Sequence, residues 1–254
     1  MKSNCGGKFR ELTGIMKRLR AKDGCPWDKK QTHKSITPYL LEEAYEVIEA
    51  INKNDFENLK EELGDVLLQV VFHAQIAEDN GKFRIDDVIE AINTKLVVRH
   101  PHIFGDKKGL TKDWQVRDFW EKHKKETKKR DSVIDGVPKA LPALLRSRRL
   151  QSKAQSTGFK WKKQESMVEK VDEELSEVKA ALRSKNKKYI SEEIGDLMFA
   201  LVTLAYHEKI NPEESLQKAN DKFIGRFKKI EKDLKPGMTE KKMIGLWNRA
   251  KKMQ

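Results

Sequence analysis

An all-α protein built from two tandem helical-bundle domains is what this 254-residue chain predicts, and three observations carry the prediction. Apolar residues recur at intervals of three and four along much of the chain, the period of a helix with one buried stripe. No run of alternating apolar and polar residues competes with that pattern. A long stretch of sequence is also written twice, which points to internal duplication rather than to a solenoid of shorter period.

The elements follow in order. Gly24-Cys25-Pro26-Trp27 leads into a first helix marked by Leu40, Leu41, Ala44, Val47, Ile48 and Ile51. A short polar connection, Asn52-Lys53-Asn54-Asp55, joins it to a second, marked by Leu59, Leu63, Val66, Leu67, Val70 and Ala74. Gly158-Phe159-Lys160-Trp161 opens the second copy, whose stripes are Val168, Val171, Leu175, Val178 and Leu182, then Ile190, Ile194, Leu197, Met198, Leu201 and Leu204. Its connection is Ser184-Lys185-Asn186-Lys187. Connections this short join antiparallel neighbours in helix bundles. Two prolines and a glycine between Ser132 and Pro142 interrupt the helical pattern and read as a linker. The expected organisation is an N-terminal domain over 1–130, a linker over 131–142 and a C-terminal domain over 143–254.

Within the duplication lies a repeated acidic signature. Glu43, Glu46, Glu62 and Asp65 stand at intervals of three, sixteen and three, and so do Glu174, Glu177, Glu193 and Asp196. Residues three apart share a helix face, so each helix projects two carboxylates together, and two adjacent helices bring four into one place. Glu62 lies between Leu59 and Val66, and Glu193 between Ile190 and Leu197, which turns these acids inward. Like charges gathered away from water repel strongly, and a divalent cation offsets the repulsion. All-oxygen ligation suits a hard ion, Mg²⁺ or Mn²⁺, and the lack of matched Cys or His argues against zinc. A ferritin-like redox centre would use Glu-x-x-His instead. His73 has Leu204 as its counterpart and reads as an ordinary helix residue.

Cationic and aromatic positions repeat downstream. Lys95, Arg99, Trp120 and Lys124 match Lys222, Arg226, Trp247 and Lys251, at spacings of four, twenty-one and four. Lys and Arg four apart on one face suit phosphate oxygens, and a tryptophan near the site can stack on a base. Trp27 and Trp161 read as structural. Pro101, two residues after Arg99, should end the first-copy helix, whereas Arg226 continues into a helical stretch. That asymmetry favours the second copy as the catalytic one.

The bulk properties set limits. The excess of 53 Lys and Arg over 40 Asp and Glu, a formal charge of +13, favours anionic partners, although dispersed charge more often marks a solvated helical surface. Acids at the motif positions argue against a nucleic-acid groove. No stretch approaches the roughly 18 apolar residues of a membrane span, and the two cysteines are too few for a disulfide framework. The expected location is cytoplasmic.

The motif text resembles the MazG nucleoside triphosphate pyrophosphohydrolases of the all-α NTP pyrophosphatase superfamily. Their Glu-Glu-x-x-Glu followed by Glu-x-x-Asp is present as Glu42, Glu43, Glu46, Glu62 and Asp65, and again as Glu173, Glu174, Glu177, Glu193 and Asp196. Gly24-Cys25-Pro26-Trp27-Asp28, Gln31-Thr32-His33 and Arg99-His100-Pro101-His102-Ile103-Phe104 resemble the family's first domain, and Lys218-Ala219-Asn220-Asp221-Lys222-Phe223 its second. Lys160 departs from the acidic residue often found before the second tryptophan. The resemblance implies Mg²⁺-dependent hydrolysis of ribo- and deoxynucleoside triphosphates to monophosphate and pyrophosphate, and assembly as a homodimer or higher homo-oligomer. It implies metal ligation by Glu174, Glu177, Glu193 and Asp196, with Glu173 as partner to the metal-bound water, mainly in the C-terminal copy. Broad base preference and a role in nucleotide-pool housekeeping are the expected use. A dedicated dUTPase, a phosphoribosyl-ATP pyrophosphohydrolase, a nucleic-acid-binding or regulatory module and a catalytically silent scaffold are the alternatives.

Overall fold

The computed structural model describes residues 4–106, 109, 111–112, 115–116, 119–120, 131–159 and 163–252. Helices dominate, and no strand occurs among the described residues. Lys124, Lys160 and Trp161 lie outside the described residues. By contacts the chain divides into a unit of residues 1–113 and a unit of residues 114–254, with the proline-containing segment 132–142 in the second.

The first unit contains α1 (Cys5–Arg20), α2 (Pro26–Lys30), α3 (Thr37–Lys53), α4 (Phe56–Asp79), α5 (Ile85–Arg99) and α6 (Pro101–Phe104). Proline occupies the first turn of α2, α3 and α6, where its missing N–H leaves no intrahelical bond unmade. The core gathers Met16, Ile36, Val71, Phe72 and Ile76, sealed by Phe9, Leu12, Leu19, Leu68 and Ile85. Helix α4 is the spine, since α1, α3 and α5 all pack on it. As Pro101 requires, α5 stops at Arg99.

The second unit contains α7 (Ala143–Gln155), α8 (Gln164–Ser184), α9 (Lys187–His207), α10 (Pro212–Ile230), a 3₁₀ turn (Glu231–Asp233) and α11 (Glu240–Lys252). Here α9 packs against α8 and α7, and α10 against α7, α9 and α11. A buried hydrogen bond from Gln151 Nε2 to Thr203 Oγ1, 2.7 Å long, fastens α7 to α9. Lys153 is itself buried, and its ammonium donates to the Val133 carbonyl at 2.8 Å, tying the 132–142 segment to α7. A separate apolar cluster of Ile230, Leu246 and Ala250, with Leu234, Met238 and Trp247, joins α10 to α11.

Both acidic hairpins turn in the same way. Asn54 at the end of α3 and Lys185 at the end of α8 adopt the left-handed conformation, with φ of 53° and 56°. The next residue caps the following helix: Asp55 Oδ1 accepts from the Asn58 N–H, and Asn186 Oδ1 from Lys188 and Tyr189. Two residues thus reverse the chain in each copy.

Burial differs from the simple expectation of periodicity. Leu41, Ile48, Ile51, Leu63, Leu67 and Val70 are exposed in the first unit, as are Leu175, Leu182, Ile194, Met198 and Leu201 in the second. A hairpin of two helices buries one stripe, and α8 packs on α9 alone among the described elements. The period reports an amphipathic helix and leaves open what covers its apolar face.

Candidate functional site

The antiparallel pair α3 and α4 brings one carboxylate oxygen each from Glu43, Glu62 and Asp65 within 4.8 Å of one another. Glu46, one turn from Glu43 on α3, presses its charge on both Glu43 and Glu62. Burial, then the neighbouring carboxylates Asp65, Glu46 and Glu62, push the Glu43 carboxyl above its ordinary range. Burial followed by Glu46, Asp65 and Glu61 does the same to Glu62, with a hydrogen bond to Asn58 working the other way. The four sequence-predicted acids of the first copy therefore form one electrostatic group.

Helices α8 and α9 gather the matching acids, with a different three in closest approach. Oxygens of Glu174, Glu177 and Glu193 lie within 4.8 Å of one another, and Asp196 adds its charge against Glu193. Glu193 is pushed up by burial, then by Glu177, Asp196 and Glu174, and Glu177 by burial and then Glu174. Glu174 is the deepest of the set, only 7% exposed. It is held by Lys170 one turn earlier on α8, whose ammonium lies 2.9 Å from Glu174 Oε1 and 2.9 Å from Glu173 Oε1. These two acceptors raise the Lys170 ammonium well above its ordinary range.

Cationic and aromatic positions form a group of their own. Arg226 on α10 stands over the Trp247 ring of α11 with 6.0 Å between guanidinium carbon and centroid, and Phe223 packs against the same indole at 5.2 Å. Lys222 shares α10 with Arg226, and Lys251 follows Trp247 on α11. Helix α10 packs on α9, and neither α10 nor α11 packs on α8 among the described residues. In the first unit Lys95 and Arg99 lie on α5, which packs on α4 and not on α3. Trp120 is half-buried and falls in the second unit.

The model of the MazG nucleotide pyrophosphohydrolase domain matches the sequence twice, over residues 31–104 and 162–230. The chain belongs to this family. Each matched segment contains one carboxylate cage and one Lys-Arg pair, and both stop short of Trp120, Trp247 and Lys251. Among MazG relatives, the nucleoside triphosphate pyrophosphohydrolase/pyrophosphatase MazG of Thermotoga maritima is 50% identical over 224 residues, 88% of this chain and 85% of that protein. The nucleoside triphosphate pyrophosphohydrolase of Escherichia coli K12 is 44% identical over 227 residues, 87% and 86% of the two chains. An uncharacterized protein of Bacillus subtilis, YabN, is 45% identical over 256 residues, covering 97% of this chain and 52% of its own length.

The donor chemistry of both MazG cages fits a hard divalent cation. Oxygens bound to one Mg²⁺ at about 2.1 Å lie no more than about 4.2 Å apart, so the observed spacing closes with small side-chain shifts. Clustered carboxylates that raise one another's pKa are also those a cation would relieve.

Two features of this chain are not announced by its motifs. His73 stacks face to face on His33, with ring centroids 5.1 Å apart and Nδ1 atoms 2.8 Å apart, so it is more than an ordinary helix residue. Burial and then the neighbouring His33 lower the His73 pKa. Between it and Asp65 on α4 lies Gln69, whose buried Oε1 has no hydrogen-bond partner. Lys170 is the second feature, and its i+3 and i+4 spacing to Glu173 and Glu174 was present in the sequence as a signal.

Proposed function

We propose that the protein is a Mg²⁺-dependent nucleoside triphosphate pyrophosphohydrolase that converts ribo- and deoxynucleoside triphosphates to monophosphate and pyrophosphate. Its expected base preference is broad and its setting the cytoplasmic nucleotide pool, in a housekeeping role. The observation that carries the reading is a cluster of three carboxylates with a fourth acid beside it, present twice, in a chain of this family.

In the second unit Glu174, Glu177, Glu193 and Asp196 would hold Mg²⁺, or Mn²⁺ in its place. The bound ion supplies charge neutralisation at the triphosphate and lowers the pKa of the attacking water. Glu173, exposed beside the cage, has a carboxylate free on its second oxygen to take a proton from that water. Lys222, Arg226 and Lys251 provide ammonium and guanidinium donors for triphosphate oxygens, and Trp247 offers an indole face for a base. Stacking discriminates weakly among bases, which supports a broad preference. Glu43, Glu46, Glu62 and Asp65, with Lys95 and Arg99, make a second site of lesser turnover. Helix α5 ends at Arg99 while α10 runs on past Arg226 to Ile230, which favours the second unit for catalysis.

Self-association into a homodimer or higher oligomer belongs to the same reading. The exposed apolar side chains on both cage hairpins support it, because isolated soluble chains rarely leave so many on one face.

The test is product analysis on a panel of ribo- and deoxynucleoside triphosphates with and without Mg²⁺. Monophosphate and pyrophosphate from most members, lost on chelation, is the expected result. Activity confined to one nucleotide would sink the broad reading, and release of inorganic phosphate instead would sink the reaction type.

A further inference from the structure

The two cages carry the same four acids in sequence and differ in the charge beside them. Lys170 Nζ sits 2.9 Å from an oxygen of Glu174 and 2.9 Å from one of Glu173, and its side chain is about one third exposed, at 36%. Glu174 is nearly buried while Lys170 remains open to water on one side, so their ion pair is partly screened. The positive charge also reaches Glu177, where it works against the crowding of the other acids. In the first unit the residue at the matching position, one turn before Glu43, is Tyr39. It is uncharged, 40% exposed, and packs edge-on against Trp27 with centroids 6.1 Å apart. The strongest influences on Glu43 and Glu62 are burial and neighbouring carboxylates, with the Asn58 amide working the other way on Glu62.

We infer that Lys170 is a tethered counter-cation of the second cage, competing with a divalent ion for Glu174, so that the two cages of one chain differ in affinity for free metal. This rests on the reading of both cages as metal sites. The first cage takes up a cation by relieving repulsion among four acids. The second must give up an existing ion pair for the same gain, and Lys170 can surrender Glu174 while keeping Glu173, which it already touches. The second cage therefore holds less free metal at a given concentration. Lys170 acts through Glu174 and is a positioning residue, not a ligand.

Mn²⁺ titration of the nucleotide-free protein, followed by electron paramagnetic resonance of the free ion, tests this with no reference to turnover. Two classes of site are expected, and Glu62→Gln should remove the tighter one. Lys170→Met should tighten the weaker class by about tenfold, while Lys170→Arg, which keeps the charge, should leave it weak. The rise in melting temperature on adding Mn²⁺ should be larger in Lys170→Met than in the parent, a second readout that also reports folding. Unchanged or weaker Mn²⁺ binding in Lys170→Met, with two classes present, overturns the role of Lys170 alone. Absence of Mn²⁺ binding in the parent and every variant overturns the metal reading itself.

Discussion

The α3–α4 hairpin and the α8–α9 hairpin carry the same four acids at the same spacings, yet they are not the same site. Around the first, α4 continues from Asp65 through Gln69 to His73, all polar; the matching positions in the second are Ala200 and Leu204. Around the second, Lys170 sits where the first has Tyr39. Downstream, α5 stops at Arg99 and α10 runs on past Arg226. Ligands alone thus define what an ion could touch, whereas the residues one turn away define the charge the ion meets and the groups that follow it.

The largest expected difference is in turnover. Glu193→Ala should lower kcat by about 10² or more, in the range seen when one electrostatic stabiliser is removed, and Glu62→Ala should leave most of it. Steady-state pyrophosphate release from the two variants side by side decides the matter, and the opposite ranking would assign catalysis to the first unit. A stability difference comes next. Thr203→Val removes the acceptor of the buried Gln151 amide, which should destabilise the second unit by about 1–3 kcal/mol, read from urea unfolding. The first unit has Phe72 at the matching position, within its apolar core, and no such bond to lose.

Smaller effects follow from protonation. Glu43, Glu62, Glu177 and Glu193 all titrate above the ordinary 4.5 in the folded chain. The folded state then binds protons more tightly than the unfolded one, so this part of the stability is full below 4.5 and is lost as pH rises through the raised values. In chelator, urea midpoints should fall over that window, and less so in Glu62→Gln and Glu193→Gln. The smallest effect belongs to the first unit alone. His73 titrates below 6.5, so its contribution is present above 6.5 and lost as pH falls through the lowered value. His73→Leu, which copies the second unit, should flatten that limb of the midpoint curve; an unchanged limb would mean the His33 contact contributes nothing to stability.

Much of this molecule is legible in its sequence, for identifiable reasons. Helical class follows from periodicity, the duplication from repeated words, and the gathering of Glu43 with Glu62, or Glu174 with Glu193, from helical spacing and a short turn. The His33–His73 contact joins residues forty apart, and no local rule announces it. Lys170 was visible at helical spacing, but attention to carboxylates passes over the cation between them. The exposed Leu63 and Met198 show the remaining gap: a periodic stripe is the same whether its own unit or another molecule covers it.

The two-residue reversals at Asn54–Asp55 and Lys185–Asn186 set the rotational phase of each cage. One residue more or fewer there would turn the second helix of a hairpin by about 100°, carrying Glu62 and Asp65, or Glu193 and Asp196, away from their partners while leaving every carboxylate in the chain. The cage is indexed by its hinge, so loop length at these two points is as much a part of the site as the acids.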